Sequence, residues 1–306
     1  MKKIKEEITQ TVKNFLSHQT DKSLSVGANS FHFCHTASDG KEYVILIPKY
    51  EKVIQDYKKQ KLLLPFLRNL NLPVLIPTGI DLVEKDGLTF AIEEKINGLE
   101  WDYTTYANLS LNQKEAFSKQ IASFLFQLHQ TSINNLPSCS FKDFFVFPDE
   151  ETFYKKLSRI LPNEINQGTH FIDRIYERAK IIFEYGKKDL VFMHRDFHPQ
   201  NTLIDEASNL HAVLDWAACC ITPRIREFQN LAGTDDRSLL INVLQKYNLL
   251  ANTNILPEQV ILFNHIEWIA CLDIMKDRPS LKTWAKKDGT LLASGELDKQ
   301  IEKFIS

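Results

Sequence analysis

A short segment in the second half of the chain is rich in residues that can perform acid–base and metal chemistry: His194, Arg195, Asp196, His198 and Asn201. Asp215 follows fourteen residues later. Phosphoryl transfer from a nucleotide uses one carboxylate that orients the acceptor hydroxyl and takes its proton. It also uses oxygen ligands for Mg²⁺, such as an amide oxygen and a second carboxylate. Asp196 is therefore the candidate base, and Asn201 and Asp215 are candidate metal ligands.

Three short strands are predicted to position these side chains. The apolar run Leu190–Met193 is typical of a buried strand that leads into the polar segment. Thr202–Asp205 and Leu210–Leu214 flank the turn residues 206–209, which indicates a pair of strands. The second strand of this pair returns Asp215 to the polar segment.

Two other interpretations of this segment remain open. A buried aspartate and histidine can form a structural polar network without any catalytic role. His194, Asp196 and His198 also alternate, so they could face one metal ion in a metal-dependent hydrolase. Pro199 favours a turn over a ligand-bearing strand, and no second histidine pair occurs at ligand spacing.

The spacing His194-x-Asp196-x-x-x-x-Asn201, followed by Leu214-Asp215-Trp216, resembles the aminoglycoside phosphotransferase and choline kinase-like families. These are small-molecule relatives of the protein kinases. The resemblance implies a bilobal α+β fold of the protein-kinase type, with a β-rich N-terminal lobe (1–97) and a larger helical C-terminal lobe (98–306). It also implies ATP or GTP as phosphoryl donor, Mg²⁺ as cofactor, and a small-molecule hydroxyl acceptor such as an aminoglycoside, choline or another amino alcohol.

The first hundred residues have the pattern expected of such an N-terminal lobe. Apolar residues at helical spacing predict an amphipathic helix over 2–18. Residues 52–70 are also helix-like, and Pro65 is expected to end or kink that helix. Four strands are predicted in two hairpins with Asp-Gly turns: Ser30–His35 with Glu42–Ile47, and Leu82–Glu84 with Leu88–Glu94.

From residue 99 the pattern becomes helical. Ser110 and Gln113 fit a capping box that begins a helix, and His129 is expected to be a packed residue at the end of that helix. The apolar stripe of this helix is Phe117, Ile121, Phe124, Leu125 and Leu128. Further helices are predicted over 151–160, 170–185, 225–248, 257–276 and 295–305.

The resemblance also implies where a nucleotide would bind. The turn at Gly27 would cover the phosphates, with Asn29 and Ser30 as additional donors. Backbone groups from Glu93 to Lys95 would meet the adenine edge. Apolar side chains would enclose the base, with Val44 above it and Leu203 and Leu214 below.

One position departs from the family pattern. Related kinases place a phosphate-binding lysine on the strand where this chain has Leu46, and they anchor it with a helix glutamate that residues 59–61 lack. Lys49 lies three residues further on, where strand alternation directs it to the opposite face unless Pro48 breaks the strand. Either Lys49 or Lys61 serves the phosphates, or nucleotide binding is weakened. A weak or silent nucleotide-binding or scaffold protein is therefore the alternative function.

The segment after Asp215 favours a small acceptor, because only residues 216–225 precede the next helical pattern. A protein kinase needs a longer segment there to align a peptide. Glu227 stands where the family usually has a structural aspartate. The sequence does not identify the acceptor. Side chains available to bind it are Asp235, Asp236, Glu267, Trp268, Asp273 and Trp284.

Bulk properties exclude several classes of protein. A formal net charge of −2 gives no reason to expect nucleic acid or an anionic membrane as partner. The five cysteines are odd in number and lack a repeated C-x-x-C spacing, which argues against disulfide frameworks and zinc modules. No signal peptide or membrane-spanning run is visible, so a cytoplasmic protein is expected.

Overall fold

The computed structural model of the chain describes residues 2–18, 25–26, 30–85, 87–139, 189–232, 237–261 and 263–264. The chain divides into two compact units. The first unit contains Met1–Thr105, Asn134–Ser140 and Pro199–Cys219, and the second contains Tyr106–Ile133, Phe141–His198 and Cys220–Ser306. The predicted lobe boundary near residue 97 stays a prediction.

A five-stranded antiparallel sheet forms the centre of the first unit. Its order is β1-β2-β3-β5-β4, and its strands are β1 (Ser25–Val26), β2 (Ser30–Thr36), β3 (Glu42–Pro48), β4 (Ile80–Lys85) and β5 (Leu88–Glu94). Gly40 and Gly87 have φ values of +81° and +76° in the two hairpin turns. Because glycine adopts positive φ without a Cβ clash, both predicted Asp-Gly hairpins form.

Helix α1 (Lys2–His18) lies against one face of this sheet. Alternate residues of β3 (Tyr43, Ile45 and Ile47) are buried in the same apolar cluster as Ile8 and Val12 of α1. The amphipathic helix predicted over 2–18 is therefore present. The intervening residues of β3 point to the opposite face, since neighbouring side chains of a strand alternate.

Helix α2 (Glu51–Arg68) follows β3 and contains Pro65. Pro65 was expected to end or kink the helix, but the helix continues for three further residues. Pro65 and Lys61 both lie on the exposed side. Solvent can therefore hydrogen-bond to the carbonyl of Lys61, which proline leaves without an intrahelical donor.

The hairpin of β7 (Thr202–Ile204) and β8 (Leu210–Val213) belongs to the first unit. The Leu99 and Ile204 backbones exchange hydrogen bonds of 2.8 and 2.9 Å, and Trp101 Nε1 donates to Thr202 Oγ1 at 2.8 Å. A Cβ added at Gly98 would lie 2.8 Å from the Leu203 Cβ. Glycine at 98 therefore lets the chain leaving β5 approach the hairpin closely.

The second unit contains the described helices α4 (Leu111–His129) and α5 (Ser238–Ala251), and strands β6 (Leu190–Met193) and β9 (Cys220–Pro223). Helix α3 (Tyr103–Asn108) spans the border of the two units. Ser110 and Gln113 form the predicted capping box of α4, whose apolar stripe is buried. Strands β6 and β9 pair antiparallel, from Leu190–Pro223 to Met193–Cys220.

The helix predicted over 225–248 is wrong in its first half. Arg224–Ala232 forms a 3₁₀ helix, and α5 begins separately at Ser238. Helical conformation is also seen from residue 257 to 264, apart from residue 262. The helices predicted over 151–160, 170–185 and 295–305, and the remainder of 257–276, lie outside the described residues. In the part of the chain that is described, no helix is long and apolar enough to cross a membrane.

Candidate active site

The polar segment starts from a fully buried strand end. Phe192, Met193 and His194 have no exposed surface, and neither does Phe197. The Phe197 ring stacks on Phe124 of α4, with 5.6 Å between ring centroids. Asp196, between these anchors, keeps 43% of its side chain exposed. The apolar anchors therefore fix the loop while its carboxylate stays accessible.

The buried carboxylate of Glu227 holds the backbone of this loop. It accepts hydrogen bonds from the His194 N–H and the Arg195 N–H, both at 2.8 Å. Arg195 has a φ of 70°, a left-handed conformation that costs energy for a residue other than glycine. The two charge-assisted bonds stabilise this backbone shape directly before Asp196. A glutamate at 227 therefore braces the loop as the usual aspartate would.

Glu227 is the buried end of a hydrogen-bond chain that starts at the partly exposed Asp189. Arg224 binds the Asp189 carboxylate with Nε and Nη2 (2.8 and 2.7 Å) and donates from Nη1 to the Tyr247 hydroxyl at 2.7 Å. Tyr247 lies 2.7 Å from His129 Nδ1, and His129 Nε2 lies 3.3 Å from the Glu227 carboxylate. Burial lowers the pKa of His129, although Glu227 opposes the shift. A neutral His129 therefore accepts from Tyr247 and donates to Glu227.

The 3₁₀ conformation of Arg224–Ala232 explains both this network and the failed helix prediction. A 3₁₀ helix has three residues per turn, so side chains three apart eclipse each other. Arg224, Glu227 and Asn230 are spaced by three, and all three contact fixed polar partners in the second unit. An α-helix would rotate these side chains away from a common line.

Asn230 and His198 both contact the candidate base. Asn230 Nδ2 donates to Asp196 Oδ1 at 3.1 Å, and His198 Nε2 lies 3.5 Å from the same oxygen. Burial raises the pKa of Asp196, but the hydrogen bond and charge of His198, with the charges of His194 and Arg195, lower it to about 2. The carboxylate is therefore ionised at neutral pH, and Asn230 and His198 both contact its Oδ1.

Asn201 and Asp215 lie in the first unit, at the two ends of the β7–β8 hairpin. The Leu214 N–H donates to the Asn201 carbonyl at 2.8 Å, which holds the two strand ends together. Asp215 is exposed, has a φ of 53°, and accepts from the Ala217 N–H at 3.3 Å. Like Arg195, it is held in a left-handed conformation at a position expected to do chemistry.

The sheet face opposite α1 carries two titratable groups whose pKa values are affected by the charge of Asp215. Glu93 pairs with Val44, and His32 pairs with Leu46, so these four side chains share that face. Burial raises the pKa of Glu93 to about 8, and the charge of Asp215 contributes to the rise. Burial lowers the pKa of His32, and Asp215 opposes that shift. The first unit therefore brings Asp215 electrostatically close to this face.

The model of the phosphotransferase enzyme family (APH) matches residues 24–254, about three quarters of the chain. The chain belongs to this family. It is accordingly a small-molecule phosphotransferase whose acceptor group is an alcohol.

Solved structures with the same fold include other phosphotransferases. An ADP-bound aminoglycoside phosphotransferase, APH(2″)-Ib, is 24% identical, with 97% of this chain and 98% of that chain covered and a TM-score of 0.67. A GDP and kanamycin complex of another APH(2″) enzyme is 16% identical, covers 95% and 99%, and has a TM-score of 0.69. A macrolide 2′-phosphotransferase from Brachybacterium faecium, MphH, is 14% identical, covers 92% and 97%, and has a TM-score of 0.62. The predicted α+β protein-kinase-like fold is confirmed.

Several residues expected to bind nucleotide in this phosphotransferase are engaged within the protein. Asn29 lies outside the described residues. The buried Ser30 hydroxyl forms a 2.6 Å hydrogen bond with the Tyr57 hydroxyl. The Lys95 N–H donates to the Glu42 carbonyl at 3.0 Å, and its ammonium lies 3.1 Å from the Glu42 carboxylate. The Lys95 N–H is thus committed to the protein in this structure.

The apolar candidates and Glu93 all belong to the first unit. Val44 and Glu93 share the face of the sheet that is opposite α1, as the strand register requires. Leu203, in β7, is buried and lies beside Gly98. Leu214 is half-buried and directly precedes Asp215. One unit therefore contains every described residue that was expected to surround the base.

Neither lysine expected to replace the strand lysine lies on the face of Leu46. The Lys49 ammonium lies 5.0 Å from the centroid of the Phe31 ring, and Phe31 packs against the cluster of α1. Lys61 is on the exposed side of α2. The contact of Lys49 with Phe31 agrees with the expectation that strand alternation turns Lys49 away from Leu46.

Two residues with close polar contacts were not found by sequence reasoning. Lys59 is 9% exposed, and its Nζ donates to the Cys219 carbonyl at 3.0 Å. It lies four and eight residues before the buried Leu63 and Leu67, which was a signal that it faces the core. Asn230 could have been found only by assuming a period of three after Glu227.

The donor set of Asn201 and Asp215 fits Mg²⁺. An amide oxygen and a carboxylate are hard ligands, and Mg²⁺ at nucleotide sites is often held by few side chains together with phosphates and water. Among the described residues, no group of three or more His, Cys, Asp or Glu could hold a metal ion. The hydrolase alternative, which needs such a group around His194 and His198, therefore gains no support.

Proposed function

We propose that this phosphotransferase moves the γ-phosphoryl group of ATP or GTP to a hydroxyl of a small molecule. The observation that carries this proposal is the held carboxylate of Asp196, on a loop braced by Glu227 and five residues before Asn201. The acceptor oxygen attacks the γ-phosphorus, the bond to the bridging oxygen breaks, and the nucleoside diphosphate leaves.

Asp196 orients the acceptor hydroxyl and takes its proton. Its pKa of about 2 keeps it ionised, and Asn230 and His198 restrict its rotation through Oδ1. In a loose transition state the proton leaves late, so positioning of the hydroxyl contributes more than the strength of the base. A low pKa is therefore compatible with this role.

The first unit supplies the nucleotide-binding groups. Val44, Leu203 and Leu214 offer apolar contacts to the purine. Backbone groups of the segment from Glu93 to Lys95 would bind its edge, except the Lys95 N–H, which donates to the Glu42 carbonyl. Asn201 and Asp215 would hold Mg²⁺, which neutralises charge on the phosphates when bound. Burial is the main cause of the raised pKa of Glu93, and the charge of Asp215 adds to it; a cation bound at Asp215 would offset that charge.

The acceptor class is an amino alcohol such as an aminoglycoside or choline. One neighbour in fold is a kanamycin complex and another is a macrolide phosphotransferase. The residues considered for acceptor binding, from Asp235 to Trp284, lie outside the described residues. A panel of aminoglycosides, macrolides, choline, homoserine and thiamine, each with ATP and with GTP, tests the acceptor directly.

Asp196→Asn tests the base. It should keep Mg-nucleotide affinity but reduce turnover by about 10²-fold or more, because the amide cannot take the proton. Glu206→Gln, an exposed carboxylate-to-amide change in the turn between β7 and β8, is the matched control. Turnover of Asp196→Asn equal to that of the control would exclude Asp196 as the base.

Asp215→Asn tests the metal ligand. It should weaken nucleotide binding in Mg²⁺ much more than in EDTA, since only the metal-dependent part of the affinity is lost. Calorimetric titration with and without Mg²⁺ measures both affinities. An equal loss in the two conditions would assign Asp215 a structural role, such as capping the turn at Ala217.

Leu46 supports the alternative of a silent nucleotide-binding or scaffold protein. A chain without catalysis has no need of a lysine at this position. If wild-type protein binds Mg-nucleotide but phosphorylates no member of the acceptor panel, and its nucleotide hydrolysis stays at background, the scaffold function replaces the enzyme.

A further inference from the structure

If the proposed function holds, on which this inference rests, the nucleotide needs a cation at its α- and β-phosphates. Position 46, where the resemblance places that cation, is a leucine. Lys49 contacts the ring of Phe31 and Lys61 is exposed. The strand therefore has no lysine side chain beside Leu46 on the face shared with Glu93, although the charge of Lys49 reaches His32 on that face as the weakest influence on its pKa. A cation from another element can therefore serve the phosphates.

Helix α2 places one lysine in the interior of the first unit. Lys59 lies between the buried Tyr57 and Gln60, and only 9% of its surface is exposed. Its ammonium donates to the Cys219 carbonyl at 3.0 Å. Cys219 ends the short turn that begins at Asp215. The Lys59 ammonium thus lies against the segment that follows the proposed metal ligand.

Electrostatic contacts connect Lys59 with the same acidic neighbourhood. Burial raises the pKa of Asp56, the charges of Lys59 and Lys52 oppose the rise, and Asp215 adds to it. Burial also raises the pKa of Cys219 to about 12, with Lys59 opposing the shift and Asp215 contributing to it. Lys59 and Asp215 therefore act on common neighbours, as a phosphate-binding cation and a metal ligand would.

The buried Lys59 ammonium has a charged neighbour in Asp56, but its hydrogen bond goes to a neutral carbonyl. Removing a charge from water is costly unless charged partners replace the lost hydration. Lysine has three N–H donors, and the bond to Cys219 uses one of them. Phosphate oxygens are anionic acceptors that match the remaining donors. A nucleotide with its phosphates near Asp215 would supply such acceptors to the Lys59 ammonium.

We propose that Lys59, from helix α2, supplies the ammonium that binds the nucleotide phosphates in place of the absent strand lysine. Without nucleotide it donates to the Cys219 carbonyl and holds the turn after Asp215. With nucleotide it also donates to a phosphate oxygen. The chain has thus moved the phosphate cation from the sheet to the facing helix.

Three substitutions separate charge from tethering. Lys59→Gln can still donate a hydrogen bond toward Cys219 but has no charge, while Lys59→Arg keeps the charge. Lys58→Gln, on the exposed side of the same helix, is the matched control. Calorimetry measures the affinity of each folded variant for Mg-ATP, Mg-GTP, adenosine and guanosine, and circular dichroism measures its unfolding midpoint without nucleotide.

We expect Lys59→Gln to lose about 10- to 100-fold in affinity for the triphosphates, the value of one charge-assisted hydrogen bond. Its affinity for the nucleosides should change less than about twofold, because they lack phosphates. Lys59→Arg should recover most of the triphosphate affinity, and Lys58→Gln should match the wild type.

Other outcomes overturn the assignment in distinguishable ways. Equal losses for triphosphates and nucleosides, or a loss equal to that of Lys58→Gln, would make Lys59 a structural tether while the proposed function stands. If Lys59→Gln does not fold, Lys59→Arg is the deciding variant. A folded Lys59→Arg protein that binds the triphosphates no more tightly than the nucleosides also overturns the assignment. A wild-type protein that binds no Mg-nucleotide would remove the proposed function and this assignment together.

Discussion

Glu227 offers the sharpest test of how the loop that carries Asp196 is held. Its carboxylate has no exposed surface and accepts from the His194 and Arg195 N–H groups at 2.8 Å each. Glu227→Gln keeps the size of the side chain but leaves one acceptor oxygen. The amide NH₂ then faces the second backbone N–H, so one bond is replaced by a contact between donors.

The expected cost follows from these contacts. A hydrogen bond to a charged group contributes about 1.5–3 kcal/mol, and an orphaned buried donor costs about 1–3 kcal/mol. Loss of one bond, weakening of the other and the donor–donor contact together give about 2–4 kcal/mol. Because 1.4 kcal/mol is tenfold in an equilibrium constant, the amides of His194 and Arg195 should exchange with solvent about 30- to 1,000-fold faster.

Hydrogen exchange over residues 190–197 measures this change, and turnover on any acceptor found for the enzyme measures its consequence for Asp196. Glu115→Gln is the control, since that carboxylate is 67% exposed and pairs with Lys246 at the surface, where such pairs contribute at most about 1 kcal/mol. Exchange in Glu227→Gln that stays within threefold of this control would refute the argument that Glu227 braces the loop.

Two further predictions concern the first unit. Gly98→Ala should lower the free energy of unfolding by about 1–3 kcal/mol in urea titrations, since its Cβ would lie 2.8 Å from that of Leu203; an unchanged midpoint would show that the hairpin can move aside. Glu93 has a raised pKa of about 8 in the folded protein, against the ordinary value of 4.5. Between these pH values the unfolded chain has released the proton and the folded protein still holds it, so the free energy of unfolding falls as the pH rises. Glu93→Gln should therefore gain at least about 1 kcal/mol relative to wild type between pH 5 and pH 8, with exposed Glu84→Gln as control; equal pH dependence in Glu93→Gln and wild type would contradict the shift.

The sequence alone predicted the fold, which is confirmed, and it named the residues of the loop for which catalysis is proposed. The Asp-Gly turns, the alternation in β3 and the apolar periodicity of α1 and α4 act between near neighbours, so they are readable from the residues. The spacing of Asp196, Asn201 and Asp215 gave the resemblance to the family, and the family model that matches residues 24–254 confirmed it. These features depend on residue type and short-range geometry, so they can be predicted without knowledge of the tertiary structure.

Tertiary structure decided how Glu227 and Asn230 contact the loop that carries Asp196. Sequence periodicity favoured an α-helix from residue 225, but Arg224–Ala232 is a 3₁₀ helix. Its period of three is stabilised by partners more than 30 residues away in sequence, including Asp189, His194 and Asp196. No local pattern contains these partners, so no local pattern could predict the helix type.

The position of the lysines was decided by the fold in the same way. The sequence offered Lys49 and Lys61 as replacements for the lysine missing at position 46, and Lys59 was not among the candidates. The fold puts Lys49 over Phe31, leaves Lys61 exposed, and buries Lys59 against Cys219, 160 residues away. Sequence fixes which charges are available, but which of them is desolvated depends on the packing of distant segments, because burial is a property of the assembled unit.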